Sequence, residues 1–237
     1  MTAPLTDALR CLYVDEDLLV LDKPAGLLCV PGRGEDKQDC LSARAQLAWP
    51  GALVVHRLDQ ATSGIVLMAR SAAVQRSLSH AFAQRQVHKR YQAVVHGRMA
   101  GTVGGGWSQI DLPIAADWER RPLRVVDAQT GKPSLTEWRV LEAEIARTAP
   151  AGAAAQDGAN TAMAQAVTRL ELQPITGRTH QLRVHLSAVG HAILGDMLYA
   201  DPAVQALSPR LLLHATRLAF VHPRSGETVQ FSSTPNF

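Results

Sequence analysis

The feature that most constrains this chain is its punctuation: short apolar or alternating runs, each stopped by glycine, proline or small polar residues. Leu18-Leu19-Val20-Leu21 ends at Asp22-Lys23-Pro24-Ala25-Gly26, and a run that short, closed by a turn sequence, reads as a strand. Leu53-Val54-Val55 reads the same way, as does Tyr91-Gln92-Ala93-Val94-Val95 before Gly97. Thr136 to Leu141 and Thr168 to Leu172 alternate polar and apolar residues, the period of half-buried strands, and are expected to pair antiparallel. Leu211-Leu212-Leu213 opens a further buried segment, and Thr228-Val229-Gln230-Phe231 looks like a final strand. Helical period is found in two places. Ser71 is placed to cap a helix with Val74, Leu78 and Phe82 on one face, and Thr179 one with Leu182, Leu186 and Val189, closed by Gly190. Strands outnumber helices, so the expectation is an α+β fold: a mixed, largely antiparallel sheet flanked by helices.

Two stretches stand outside this pattern. Gly104-Gly105-Gly106 reads as a flexible loop, since consecutive glycines add backbone entropy. Residues 148–166 are mostly alanine, glycine and small polar residues. They lack the apolar bulk to offset ordering entropy and are expected to form a flexible insertion. The 237 residues are otherwise expected to form one domain, residues 1–237.

A net charge of +3 decides little alone. The placement of the charges says more: basic residues concentrate between Arg85 and Arg90 and between Arg169 and Arg183, and arginine outnumbers lysine. Planar guanidinium groups pair with phosphates and stack on bases. The three cysteines, Cys11, Cys29 and Cys40, are odd in number and lack CxxC spacing, which argues against a disulfide framework or a cysteine zinc site. No basic-then-apolar leader and no long apolar run is found, so a cytoplasmic protein without a membrane span is expected. Nucleotide-cofactor and hydrolase signatures are absent. A metal site from His180, His185 and His191 is the one candidate, but His180 and His185 lie five apart, a poor spacing for one ligand face, so no metal is expected.

Chemistry concentrates in His56-Arg57-Leu58-Asp59-Gln60-Ala61-Thr62-Ser63-Gly64. Such a loop after an apolar strand can present a carboxylate to a cleft. It can equally hold a structural Arg57–Asp59 ion pair, with Thr62 and Ser63 as turn formers. Spacing alone leaves both open.

This stretch resembles the HRLDxxTSG motif of the RluA-type pseudouridine synthases, and the likeness extends along nearly the whole chain. Asp22 to Gly26 is similar to the NKPxG segment, with Asp for the usual Asn. Lys89-Arg90-Tyr91 resembles K-x-Y, and Gly177 to His185 resembles GRTHQ[IL]RVH. Gly190-His191, Gly195-Asp196 and Tyr199 resemble the GHP[IL]xGDxxY tail, with Ala192 for the proline, and Leu212-Leu213-His214-Ala215 resembles LLHA. Asp111 to Ile114, Asp117-Trp118, Arg121-Pro122 and Thr130 to Pro133 resemble a narrower branch acting on both 23S rRNA and tRNA anticodon stem-loops.

The resemblance implies the pseudouridine-synthase catalytic fold with a central active-site cleft. It implies that Asp59 is the catalytic carboxylate, Arg183 its ionic partner and Tyr91 the aromatic residue against the uracil. Arg57 and His56 are expected to aid base extrusion, Arg178 to bind the RNA backbone with Arg85, Lys89 and Arg90, and Leu213 to wall the pocket. Isomerisation needs no cofactor, and the expected partners are 23S rRNA and tRNA. Too few residues precede Asp22 for an S4-type domain, and a monomer is expected. Two readings compete: a non-catalytic RNA-binding or RNA-folding module on the same scaffold, and an unrelated hydrolase using Asp59 with His56.

Overall fold

The computed structural model describes residues 9–147 and 165–237. In chain order the elements are β1 (Arg10–Val14), β2 (Leu18–Lys23), α1 (Leu41–Ala48), β3 (Leu53–Val54), β4 (Ser63–Ala69), α2 (Ala72–Ala83), β5 (His88–His96) and β6 (Ser108–Asp111). Then follow β7 (Ile114–Ala116), β8 (Arg124–Val126), β9 (Leu135–Arg147), β10 (Gln165–Pro174), α3 (Gln181–Ala188), α4 (Pro202–Gln205), β11 (Leu213–Val221) and β12 (Thr228–Ser232). The chain divides into two compact units, residues 1–90 with 214–236, and residues 91–213 with Phe237. Both carry mostly antiparallel strands, so the α+β expectation holds.

In the first unit β2 lies between β1 and β4, antiparallel to both, while β3 also pairs with β4. β11 runs parallel to β4 and carries β12. Its core joins Leu18, Val20, Ile65, Leu67, Leu218 and Phe220 to Val74 and Leu78 of α2, with Phe82 packed at the margin. That is the helical face expected from the sequence, and Ser71 caps it by accepting a bond from the Val74 amide at 3.3 Å. β4 is not among the strands expected from the sequence, although Ile65 to Ala69 is an apolar run like that of β2 and every residue of the strand is buried. A strand covered on both faces shows no alternation, and so lacks the signal that marks half-buried strands. Of the two expected turn formers, Thr62 does close a turn, its amide bonding the Asp59 carbonyl at 3.1 Å. Ser63 instead starts β4. Gly64 follows with φ +109°, and a Cβ there would collide with the backbone of Ala215, so only glycine fits.

In the second unit β10 pairs with β5 and β9, and β9 with β6, all antiparallel. Leu170 lies opposite Val140 and Leu172 opposite Trp138, and the alternation read from the sequence puts all four in the core. Residues 148–164 of the expected insertion lie outside the described residues, while Gln165 and Ala166 already belong to β10. The cap of α3 differs from the expectation. Its N-cap is His180, left-handed at φ 56° and without a side-chain cap bond, so Thr179 falls one residue too early. Gln181 braces this entry instead, its Oε1 accepting from the Arg178 amide at 3.0 Å and the Thr176 hydroxyl at 2.7 Å. Val189, expected on the buried face, follows the last helical residue and is 39% exposed.

Candidate active site

Asp59 sits half-buried in the loop between β3 and β4, and three side chains of the first unit pin that loop. The backbone explains their need: a loop lined by buried walls has amides and carbonyls that strands cannot satisfy. Lys23, the last residue of β2, is 1% exposed. Its Nζ donates to the carbonyls of Pro24, Leu27 and Gln60 at 2.9, 2.8 and 3.0 Å, using all three protons of an ammonium. Burial lowers its pKa to about 8, with the neighbouring Cys29 and Asp59 opposing the drop. The buried Cys29 accepts the Leu58 amide on its sulfur at 3.2 Å, and desolvation pushes that thiol's pKa up. His56 accepts the Leu67 amide on Nε2 at 2.9 Å and stacks on Phe82 with ring centroids 4.6 Å apart. Burial, then the charge of Lys89, lowers its pKa to about 3, which agrees with a neutral ring whose Nε2 must accept. Arg57 differs from these three. It is exposed and has no hydrogen-bond or ion-pair partner among the described residues.

Behind the loop runs a buried polar chain. Ser63 Oγ lies 2.9 Å from His214 Nδ1, His214 Nε2 lies 2.9 Å from Ser233 Oγ, and Ser233 donates to Asp22 at 2.8 Å. With the Ser233 proton on Asp22, its oxygen accepts from His214 Nε2–H, and Nδ1 accepts from Ser63. That is the arrangement of a neutral His214 ring. Asp22, which stands where the resemblance expects Asn, also pairs with Arg10 at 3.2 Å.

The second unit holds the other expected site residues. Tyr91 is half-buried on β5, opposite Leu172. Arg183 on α3 is 4% exposed and makes a bidentate pair with Asp196, Nε to Oδ2 at 2.8 Å and Nη2 to Oδ1 at 2.6 Å. Asp196, fully buried, also accepts the amides of Leu198 and Tyr199 at 2.9 and 3.2 Å. Two parallel bonds to one carboxylate fix the plane of the guanidinium, and so set where the rest of it points. Arg178 precedes α3 and reaches the Pro133 carbonyl at 3.4 Å. Leu213 is buried at the start of β11. The histidines considered as metal ligands have other partners: His180 Nδ1 the Tyr199 hydroxyl at 2.6 Å, His185 both Thr136 Oγ1 and the Leu112 carbonyl at 2.9 Å. Among the described residues no group of three or more histidine, cysteine or acidic side chains is arranged to hold a metal ion.

Sequence reasoning missed the roles of Lys23, Cys29 and Asp196. A signal existed for Lys23, a charge at the end of a strand that begins as an apolar run, and for Asp196, an acid directly after a turn glycine. Nothing in the sequence marked Cys29.

The mixed, largely antiparallel sheet that carries this loop is a fold shared with solved structures of human RNA pseudouridylate synthase domain proteins. Human RNA pseudouridylate synthase domain containing 1 superposes with a TM-score of 0.74 and 28% identity, over 100% of this chain and 87% of that one. Human RNA pseudouridylate synthase domain containing 4 shares the fold at a TM-score of 0.65 and 24% identity, over 95% and 88%. The RNA pseudouridylate synthase family profile matches residues 17–188. The dual-specificity RNA pseudouridine synthase RluA of Escherichia coli K12 is 42% identical over 226 residues, 95% of this chain and 93% of that protein. Its counterpart from Pasteurella multocida is 40% identical over 236 residues, 100% of this chain and 97% of that one. The chain belongs to the RNA pseudouridylate synthase family, and with it to the isomerases.

Proposed function

We propose that this chain isomerises uridine to pseudouridine in 23S rRNA and in the tRNA anticodon stem-loop, with Asp59 as the reacting carboxylate. In this reaction the N1–C1′ bond breaks, the uracil turns, C5 bonds to C1′, and the C5 proton is lost as N1 gains one. Atoms and electrons balance within the nucleoside, so the reaction itself calls for no cofactor. Asp59 supplies negative charge as C1′ becomes electron-poor. Tyr91 offers its ring to the uracil and its phenol to the departing C5 proton. Arg183, oriented by Asp196, supplies positive charge to the reacting groups. Leu213 excludes water, Arg178 binds phosphate, and Arg57 fills the space left by the extruded base. His56 acts through the loop that it holds.

The observation carrying this reading is the pinning of the Asp59 loop by Lys23, Cys29 and His56, because catalysis by charge requires a group fixed before the substrate arrives. Near full-length likeness to dual-specificity enzymes supports the two RNA classes.

The test is tritium release from RNA transcripts labelled at uridine C5. Wild type is expected to release tritium from both RNA classes, and Asp59→Ala to release none while still binding RNA. Release persisting in Asp59→Ala would overturn its role, binding without release in wild type would favour a non-catalytic RNA module, and release confined to one RNA class would remove the other.

A further inference from the structure

The second unit contains a cleft of about 630 Å³ lined by Trp118, Arg124, Thr130, Lys132, Arg178 and Thr179, among others. It is built on the two-stranded β7–β8 hairpin and on the residues leading into α3. Of these groups only Arg178 has a part in the reaction described above. Three features bear on what the cleft takes.

The first is charge. Three cationic side chains line the cleft and no carboxylate does. Among the described residues, Arg124 and Lys132 have no side-chain hydrogen-bond or ion-pair partner. Two acids of the hairpin region are occupied elsewhere. Asp117 accepts from the Arg120 amide at 3.0 Å and its Nε at 2.8 Å, and Asp127 accepts from the Gln129 and Thr130 amides at 2.8 and 3.0 Å. Uncompensated cations in a concave surface favour an anion such as phosphate.

The second is aromatic surface. Trp118 is 72% exposed, and the Arg121 guanidinium lies 4.0 Å from its ring centre. A cation over one face leaves the other face of the indole to solvent, where it can serve as a stacking platform.

The third is rigidity. The Ile114 amide and carbonyl exchange bonds with Lys132 at 3.0 and 2.9 Å. The Arg124 amide donates to the Tyr199 hydroxyl at 3.0 Å, and that hydroxyl meets His180 at 2.6 Å. The cleft is therefore tied to α3 on one side and to the hairpin on the other. Its volume suits a small ligand.

We propose that this cleft binds a single unpaired nucleotide of the RNA, its base stacked on Trp118 and its phosphate held by Arg124, Lys132 and Arg178. The proposal rests on RNA being the substrate, and adds to it a second, non-reacting nucleotide read outside the duplex. A base inside a duplex has both faces stacked, so only an unpaired or extruded one offers a face to Trp118.

The experiment uses the full chain carrying Asp59→Ala, so that no turnover occurs. The probes are a mixed-sequence single-stranded RNA oligonucleotide and the same strand annealed to its complement. Trp118 is one of four tryptophans, so emission is compared with and without an added Trp118→Phe. The single strand is expected to quench the Trp118 emission and the duplex to leave it unchanged. Lys132→Ala and Arg124→Ala are each expected to weaken single-strand binding about tenfold, and to flatten its salt dependence by about 0.7 for each phosphate no longer neutralised. Arg76→Ala, which removes an exposed charge of α2, is the charge-matched control and is expected to change neither. Equal quenching by the duplex, or affinities unmoved by both substitutions, overturns the subsite. Tritium release by wild type without quenching removes the subsite alone, whereas quenching without release keeps the subsite and removes the catalytic reading.

Discussion

Around Asp59 the polar groups turn inward, and on the β7–β8 hairpin they turn outward. Lys23 gives three protons to loop carbonyls, and His56 and Cys29 each accept a buried or half-buried amide. Arg124, Lys132 and Trp118 instead present themselves to a cleft open to solvent. Burial makes each bond of the first kind costly to lose, because the partner left behind has no water to turn to. Exposure makes each interaction of the second kind easy to replace and sensitive to salt. On the proposed reading, the loop that carries Asp59 and the cleft of the β7–β8 hairpin therefore differ in how they fail: the first loses geometry, the second loses affinity.

Four substitutions sharpen or break that contrast. Gly64→Ala is expected to have the largest effect, at least about 3 kcal/mol in urea denaturation, because it combines a left-handed φ with a collision against Ala215. A wild-type midpoint would break the account of the β4–β11 approach. Lys23→Met keeps the apolar stem but strips the donors from three carbonyls, with an expected loss of about 2 kcal/mol. Its kcat should fall more than its KM changes.

The pH response of Lys23 has a definite sign. Its folded pKa of about 8 lies below the ordinary 10.5, so between those values the unfolded chain holds the extra proton and stability rises with pH. Over the same window wild-type kcat should fall as the ammonium loses a donor, and Lys23→Met should lack that alkaline limb. A smaller effect is expected from His56. Its folded pKa of about 3 lies below the ordinary 6.5, so its contribution is complete above about 6.5 and is lost as pH falls toward 3. His56→Gln, whose amide oxygen can still accept from Leu67, should flatten that part of the stability profile; an unchanged acid limb would contradict a neutral, accepting imidazole. Least of all, Lys132→Ala should leave the urea midpoint within about 0.5 kcal/mol while weakening RNA binding. A large loss of stability there would make the hairpin cations structural and erase the contrast.

Much of this molecule was legible in the chain alone. The 3.6-residue period and Ser71 cap announced α2, the alternation of residues 136–141 and 168–172 announced the β9–β10 pair, and the motif around Asp59 with Lys89-Arg90-Tyr91 and Gly177 to His185 announced the family. These signals work because each is written within a few residues, where periodicity and capping act. β4 escaped because burial on both faces erases alternation and leaves an apolar run that periodicity does not separate from a buried helix, and the start of α3 was misplaced because a left-handed His180 delays the helix by a residue.

The supports of the site were decided at longer range. Leu58 meets Cys29 across 29 residues, Lys23 meets Gln60 across 37, and Ser63 meets His214 across 151. Arg183 finds Asp196 because the turn at Gly195 brings that acid back to α3. The sequence by itself singled out the residues proposed to carry the chemistry, Asp59 foremost. Only the tertiary structure decided which buried groups hold them still, because a hydrogen bond's direction and desolvation exist only once distant strands have closed around it.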